Sequence, residues 1–134
     1  MFEALDIGAS GLTAQRARLD VIAANMANVS TTHDASGKPN PYRRRFAVIS
    51  SGAVDDHSKP GVHVEGVRQD PAPFLRKYDP TNQDAGPDGY VKLPNVDPTV
   101  EFVNAIEASR AYEANVSMME VTKSMINASL RLIA

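Results

Sequence analysis

The sequence predicts a mainly α-helical chain, with long N- and C-terminal helices forming a coiled coil and a small β-rich, loop-rich insert between them. Three observations carry this expectation. All nine prolines fall between Pro39 and Pro98, so the middle excludes a long helix while both ends permit one. Leu5, Leu12, Leu19 and Met26 recur as a heptad near the start. After Asp97 there is no glycine, and apolar residues return at helical spacing to the end of the chain. The chain therefore divides into residues 1–30, 31–97 and 98–134, the first and last being the helices of an assembly core.

The first helix is expected from Phe2 to about Val29. Its heptad row is joined by Ile22 and Val29, each three residues beyond a row member, which is the spacing of a coiled-coil seam. Gly8 and Gly11 weaken the first half, each by about 1 kcal/mol relative to alanine in a helix interior. The small residues there, Gly8 to Gly11, also let another backbone come close, so this turn is either a contact point or a frayed start.

From Asn28 to Pro41 the composition is that of a loop. Short extended runs follow at Tyr42 to Ser50, Val62 to Val67, Phe74 to Tyr78 and Tyr90 to Leu93. Turn signals at Ser51-Gly52, Pro60-Gly61 and Gly86-Pro87-Asp88-Gly89 separate them. These runs bury few large side chains, so the expectation is one small twisted β element, held partly by the helices and too thin to stand alone.

The last helix has a defined start. Asp97 can cap the free N–H groups of the first turn, and Pro98 takes the first helical position, where its missing donor costs nothing. One apolar row takes Val100, Ala111, Ala114, Met118, Val121, Met125, Ala128 and Leu132; a second takes Ala105, Tyr112, Met119, Ile126 and Ile133. Two adjacent rows make a stripe too wide for a single partner helix. A helix from Pro98 to Leu132 would be roughly 50 Å long, more than a compact domain of this size needs. Part of its apolar surface is therefore expected to meet other chains.

Composition narrows the function further. The 134 residues are 43% hydrophobic and 22% charged, with a net charge of -2, which gives no whole-chain attraction to nucleic acid or an anionic membrane. There is no cysteine, hence no disulfide framework, thiol nucleophile or thiolate metal site. Met1 to Leu12 carries Glu3 and Asp6 and lacks a basic start, so no cleavable signal peptide is expected. No run approaches the roughly 20 apolar residues of a membrane span.

Candidate chemistry is sparse. His33, His57 and His63 lie near Asp34, Asp55 and Asp56, but at no spacing that converges ligands on a metal, and solvated loop histidines are the expectation. Arg43, Arg44 and Arg45 would alternate faces in a strand, which favours a solvated or salt-bridged edge over a phosphate-binding row. Met118, Met119 and Met125 read as an adaptable packing surface. The sequons at Asn28, Asn115 and Asn127 read as chance matches, since a glycan inside the long helix would block packing. No residue is a candidate for catalysis, no cofactor is indicated, and the expected class is an interaction or assembly protein.

Two stretches carry a family resemblance. Leu19-Asp-Val-Ile-Ala-Ala-Asn-Met-Ala-Asn-Val-Ser-Thr, ending at Thr31, resembles the N-terminal signature of bacterial flagellar rod and hook proteins, the axial protein family. Leu93 to Asp97, Glu101 to Asn104 and Ala108 to Asn115 resemble the C-terminal signature of its proximal-rod members, and Tyr78 to Pro80 and Gly89 to Val91 agree. The departure comes after Thr31, where the family often continues with glycine and an aromatic residue and this chain has Thr32-His33-Asp34. The resemblance implies a structural subunit of the basal-body rod, the periplasmic drive shaft that transmits torque, exported by the flagellar type III apparatus without cleavage. Implied partners are further copies of the chain, rod proteins of the FlgB, FlgF and FlgG types, a basal-body adaptor and the export apparatus. The alternative is a soluble coiled-coil adaptor that binds one partner without forming a filament.

On this reading the two helices pair within the subunit, antiparallel or nearly so, and pack on the same helices of neighbours. Leu5, Leu12, Leu19, Ile22, Met26, Asn28, Tyr112, Asn115, Met118, Met119, Val121, Met125, Ile126 and Leu132 are the expected subunit-interface residues. Asn25, Asn28 and Asn115 lie beside apolar seams and are expected to hydrogen-bond across helices or to loop backbone, fixing register. With so little core in the insert, both terminal segments are expected to fray in the isolated subunit until neighbours cover them.

Overall fold

The computed structural model describes residues 2–134. Two helices, α1 (Phe2–Ala27) and α2 (Pro98–Ile133), flank four short strands: β1 (Arg45–Ser51), β2 (Val62–Gln69), β3 (Leu75–Tyr78) and β4 (Tyr90–Leu93). α2 starts as its sequence dictates. Asp97 is extended, its carboxylate accepts the N–H of Thr99 at 2.9 Å, and Pro98 follows in the first turn. α1 ends at a self-capping turn in which the Asn28 side chain donates to the carbonyl of Ala24 and accepts from the Thr31 hydroxyl.

The strands form two separate antiparallel hairpins, β1–β2 and β3–β4, where the sequence suggested a single β element. The physical cause lies between β2 and β3. Pro71 and Pro73 carry no N–H, so this segment cannot extend a ladder from one hairpin to the next. A register shift between Val48 and Ile49 marks a bulge in the first hairpin.

That hairpin lies along α1. At one end the N–H of Val62 donates to the hydroxyl of Ser10 at 3.1 Å; at the other the N–H of Arg45 donates to the amide oxygen of Asn25 at 3.0 Å. Ser10 and Asn25 are about 22 Å apart along the helix, and a strand the length of β1 spans about 23 Å, so the strand is cut to fit. Gly61, with φ +136°, brings the chain against Ser10 where a side chain would be strained.

The helices run antiparallel. Gly8 faces Met119, Gly11 faces Asn115, Arg18 pairs with Glu107, and Asn25 pairs with Glu101, so each step up α1 is a step down α2. On that register Phe2 stands level with the turn around Ser124. Met125 to Ile133 therefore overhang the start of α1 by about 13 Å.

The row of α1 that is covered is Gly8, Gly11, Ala14, Ile22 and Asn25, with Gly8, Ala14, Ile22 and Asn25 fully buried. The leucine row lies roughly a quarter turn away, at 100° per residue. Leu5, Leu12 and Leu19 are half-buried and Met26 is exposed. Gly8 and Gly11 are thus a contact point: a Cβ on Gly8 would stand 2.7 Å from Met119 Cγ, and one on Gly11 would stand 2.8 Å from Asn115 Nδ2. Buried apolar residues elsewhere are Val91, Val96 and Ala108, all small. Helix pairing here rests on close backbone approach and polar contacts more than on large apolar knobs.

Candidate functional site

Where α1 ends, α2 begins and the hairpins take root, a buried polar junction forms. Asn25 and Glu101 have no exposed area, each at 0%. The Asn25 amide donates to Glu101 Oε2 at 3.2 Å and to the carbonyl of Arg45 at 2.8 Å; its oxygen accepts from the Arg45 N–H and from the hydroxyl of Tyr42 at 3.1 Å. All the hydrogen-bonding capacity of one amide is used, joining both helices to β1.

Glu101 also accepts from Arg44 Nε, whose guanidinium reaches Asp70 Oδ2 at 3.2 Å. Burial works against the arginine charge, but the hydrogen bonds and charges of Glu101 and Asp70 outweigh it and hold its pKa above the ordinary value. Asn95 completes the junction. Its oxygen accepts the Arg44 N–H at 2.7 Å, and its amide donates to the carbonyls of Asp70 and Ala72. Arg43 donates to the same two carbonyls and lies over the ring of Phe74, 4.3 Å from its centre. Arg43 and Arg44 lie just before β1, which starts at Arg45, and both reach Asp70, Arg43 at its carbonyl and Arg44 at its carboxylate.

Sequence reasoning placed Asn25 correctly as a cross-helix residue and read Arg44, within the arginine cluster, as solvated or salt-bridged, but did not single out its partners Glu101 and Asp70, nor Asn95. One signal was available: Glu101 stands on the same helix face as Ala105 and Ala108, a charge inside an apolar stripe. Of the other two asparagines, Asn28 bonds its own helix end, and Asn115 lies half-buried against Gly11.

The expected interface residues fall into two groups. Ile22 is buried within the subunit, out of reach of a neighbour. Met118 and Met119 close on Gly8, and Asn115 and Ile126 are half-buried. Leu5 and Leu12 line an apolar groove with Val116 and Met119, bordered by Glu120 and Lys123. Met26, Tyr112, Val121, Met125 and Leu132 are exposed. Further large apolar residues are exposed on α2 itself: Val100, Phe102, Val103 and Ile106 at its start, Leu130 and Ile133 at its end.

Among the described residues no three His, Asp or Glu side chains gather as metal ligands. His33 pairs with Asp84 at 2.8 Å, tying the 31–40 loop to the second hairpin, while His57 and His63 stack with ring centres 4.1 Å apart. No described helix is long and apolar enough to cross a membrane.

An antiparallel helix pair with a polar lock at one end and exposed apolar residues along the outer side of α2 offers surfaces for packing, and comparison with known proteins agrees. Residues 5–32 match the family described as Flagella basal body rod protein, and residues 88–132 match the family described as Flagellar basal body rod FlgEFG protein C-terminal. The chain is 38% identical over 145 aligned positions to the flagellar basal-body rod protein FlgC of Bacillus subtilis, covering 98% of this chain and 97% of that one. It is 42% identical over 127 positions to FlgC of Yersinia enterocolitica, covering 95% and 93%. FlgC of Borreliella burgdorferi is 37% identical over 150 positions, covering 99% and 97%. The chain belongs to the FlgC family of flagellar basal-body rod proteins, structural subunits and not enzymes.

Proposed function

We propose that the exposed rows of α1 and α2 are the surfaces by which this rod subunit packs into the periplasmic shaft, beside copies of itself and rod proteins of the FlgB, FlgF and FlgG types. On this reading residues 1–30 and 98–134 form the shaft's core, the helices of adjacent subunits winding into coiled coils, and residues 31–97 form its outer element. The observation that carries it is the exposure of Val100, Val103, Val121, Met125 and Leu132 on a helix whose inner face is already occupied by α1. So much bare apolar surface on one helix calls for a partner on its second side. Leu5, Leu12 and Leu19, half-buried beside the seam, supply a heptad row for a neighbouring helix. Long side-by-side helical contacts resist shear, which suits an element that carries torque. Delivery by the export apparatus, without a cleaved leader, and contact with a basal-body adaptor belong to the same reading.

The test is replacement of Val121 and Met125 by Asp in cells whose sole copy is this chain. The expected result is a folded, exported subunit that stops rod growth and abolishes motility. An adaptor with one partner would need only one such surface. If assembly and motility survive these changes and equally survive Val103→Asp, the packing role of this face is refuted.

A further inference from the structure

We propose that the cleft between the 31–41 loop and the open end of the first hairpin binds an acidic peptide segment, whose carboxylates Arg43 and Arg45 hold. No residue lining this cleft belongs to α1 or α2, so the proposal stands apart from the packing of the helices.

The pairing of charges in the insert points to it. Arg44 pairs with Glu101 and Asp70, Arg68 with Glu65, and Arg76 with Asp88. Among the described residues Arg43 and Arg45, which flank Arg44 in sequence, make no ion pair. Arg43 is held by neutral groups instead. Its Nη1 donates to the carbonyls of Asp70 and Ala72 at 2.9 and 3.0 Å, and its guanidinium lies over the ring of Phe74. These contacts order the guanidinium fork without cancelling its charge. Both bonds leave from one nitrogen, so the remaining N–H groups of the fork are left for a ligand. An arginine fixed by partners that do not neutralise it is prepared for an anion supplied from outside.

The rest of the cleft tells which anion. Its volume is about 430 Å³, more than a single small ion fills. Arg45 enters it from the first residue of β1, and Gln69, its partner in the ladder, from the last residue of β2, so a guanidinium and an amide stand side by side. Both are exposed, and Asn40 adds a second amide from the loop. Guanidinium forks match carboxylates, and side-chain amides match the peptide groups that join them, which favours an acidic peptide over a compact inorganic anion. The acidic groups nearby are already engaged. Asp34 lines the cleft, but its Oδ1 accepts from the N–H and hydroxyl of Ser36 and from the N–H of Lys38, within its own turn. The Asp70 carboxylate is taken by Arg44 and the N–H of Ala72, and His33, also in the lining, pairs with Asp84.

The test is titration of the full-length subunit with three probes: an acetylated tetraglutamate amide, its tetraglutamine counterpart and inorganic phosphate. NMR signals of backbone amides, arginine Nε–H groups and side-chain amides report where each binds. The expected result is saturable binding of tetraglutamate, with shifts centred on Arg43, Arg45 and Gln69, and none with tetraglutamine. Arg45→Gln should weaken it by about tenfold or more, the loss of a hydrogen bond to a charged group. Arg68→Gln removes the same charge from a neighbouring position outside the cleft and should leave the affinity unchanged. Circular dichroism checks that both variants remain folded. Absence of saturable tetraglutamate binding overturns the proposal. Equal weakening by Arg45→Gln and Arg68→Gln overturns it also, since that reports attraction to the whole chain. Phosphate bound as tightly as tetraglutamate overturns the assignment to a peptide.

Discussion

Asn25 donates to Glu101 across the helix pair at 3.2 Å, with neither side chain exposed. Seventy-six positions apart in sequence, the two lock the end of one helix to the beginning of the other. Glu101 also carries the charge that neutralises Arg44, so this contact is where helix pairing, the first hairpin and the segment after β2 are fastened together.

Asn25→Ala is expected to destabilise the subunit by about 2–4 kcal/mol, because it strands the Arg45 N–H and carbonyl and deprives Tyr42 and Glu101 of a partner. Glu101→Ala is expected to cost about 3 kcal/mol, by leaving Arg44 with Asp70 alone. Urea unfolding of each variant checks both values. A loss below about 0.5 kcal/mol for either would show that the junction is not what joins the helices.

Gly8→Leu is expected to destabilise by about 1–3 kcal/mol, since even its Cβ would meet Met119 and Met118 at 2.7 and 2.8 Å. Gly8→Ala is expected to cost less than Gly8→Leu, as the gain in helix propensity of about 1 kcal/mol offsets part of the displacement of Met119 Cγ, while Met118 Cε moves readily. Combining Gly8→Leu with Met119→Ala should recover part of the loss. A double-mutant cycle measures this coupling, and strict additivity would contradict the close approach of the helices.

Hydrogen exchange on the dilute subunit should reveal a gradient along α2. Amides from Asn104 to Ala111, beside the polar junction, are expected to be the most protected; those from Met125 to Ile133, with no α1 alongside, are expected to exchange as an open helix end does. On assembly the second group should gain protection. Uniform protection throughout α2 in the free subunit would mean that this end needs no neighbour.

Acid should loosen the turn of the second hairpin at Asp88. The N–H of Tyr90 and then the charge of Arg76 hold its carboxyl below the ordinary value of 3.8. A carboxyl depressed in the folded state adds stability that is complete above 3.8 and is lost as pH falls through the lower folded value. The carboxyl resonance of Asp88 followed by NMR should titrate below that of Asp88 in a denatured chain, and Arg76→Gln should bring the two closer. An unchanged midpoint in Arg76→Gln would remove Arg76 from the account.

The residues that mark where each element begins and ends act locally, which is why the sequence by itself determined the helices and strands. Asp97 and Pro98 start α2 through groups within a few residues, the glycines and prolines of the insert interrupt any helix there, and the signature from Leu19 to Thr31 needs no fold to be recognised. What only the tertiary structure decided is which side of each helix is used inside the subunit. The heptad leucines are the largest apolar row of α1, yet the closest contact runs along Gly8, Gly11 and Asn25. Two causes act there, neither visible in local spacing. Absent side chains at Gly8 and Gly11 let the second helix approach, and the amide of Asn25 is satisfied by Tyr42, Arg45 and Glu101, brought from other parts of the chain. Once polar and small residues hold the pair together, the larger apolar rows are left outside, where a neighbouring subunit can reach them.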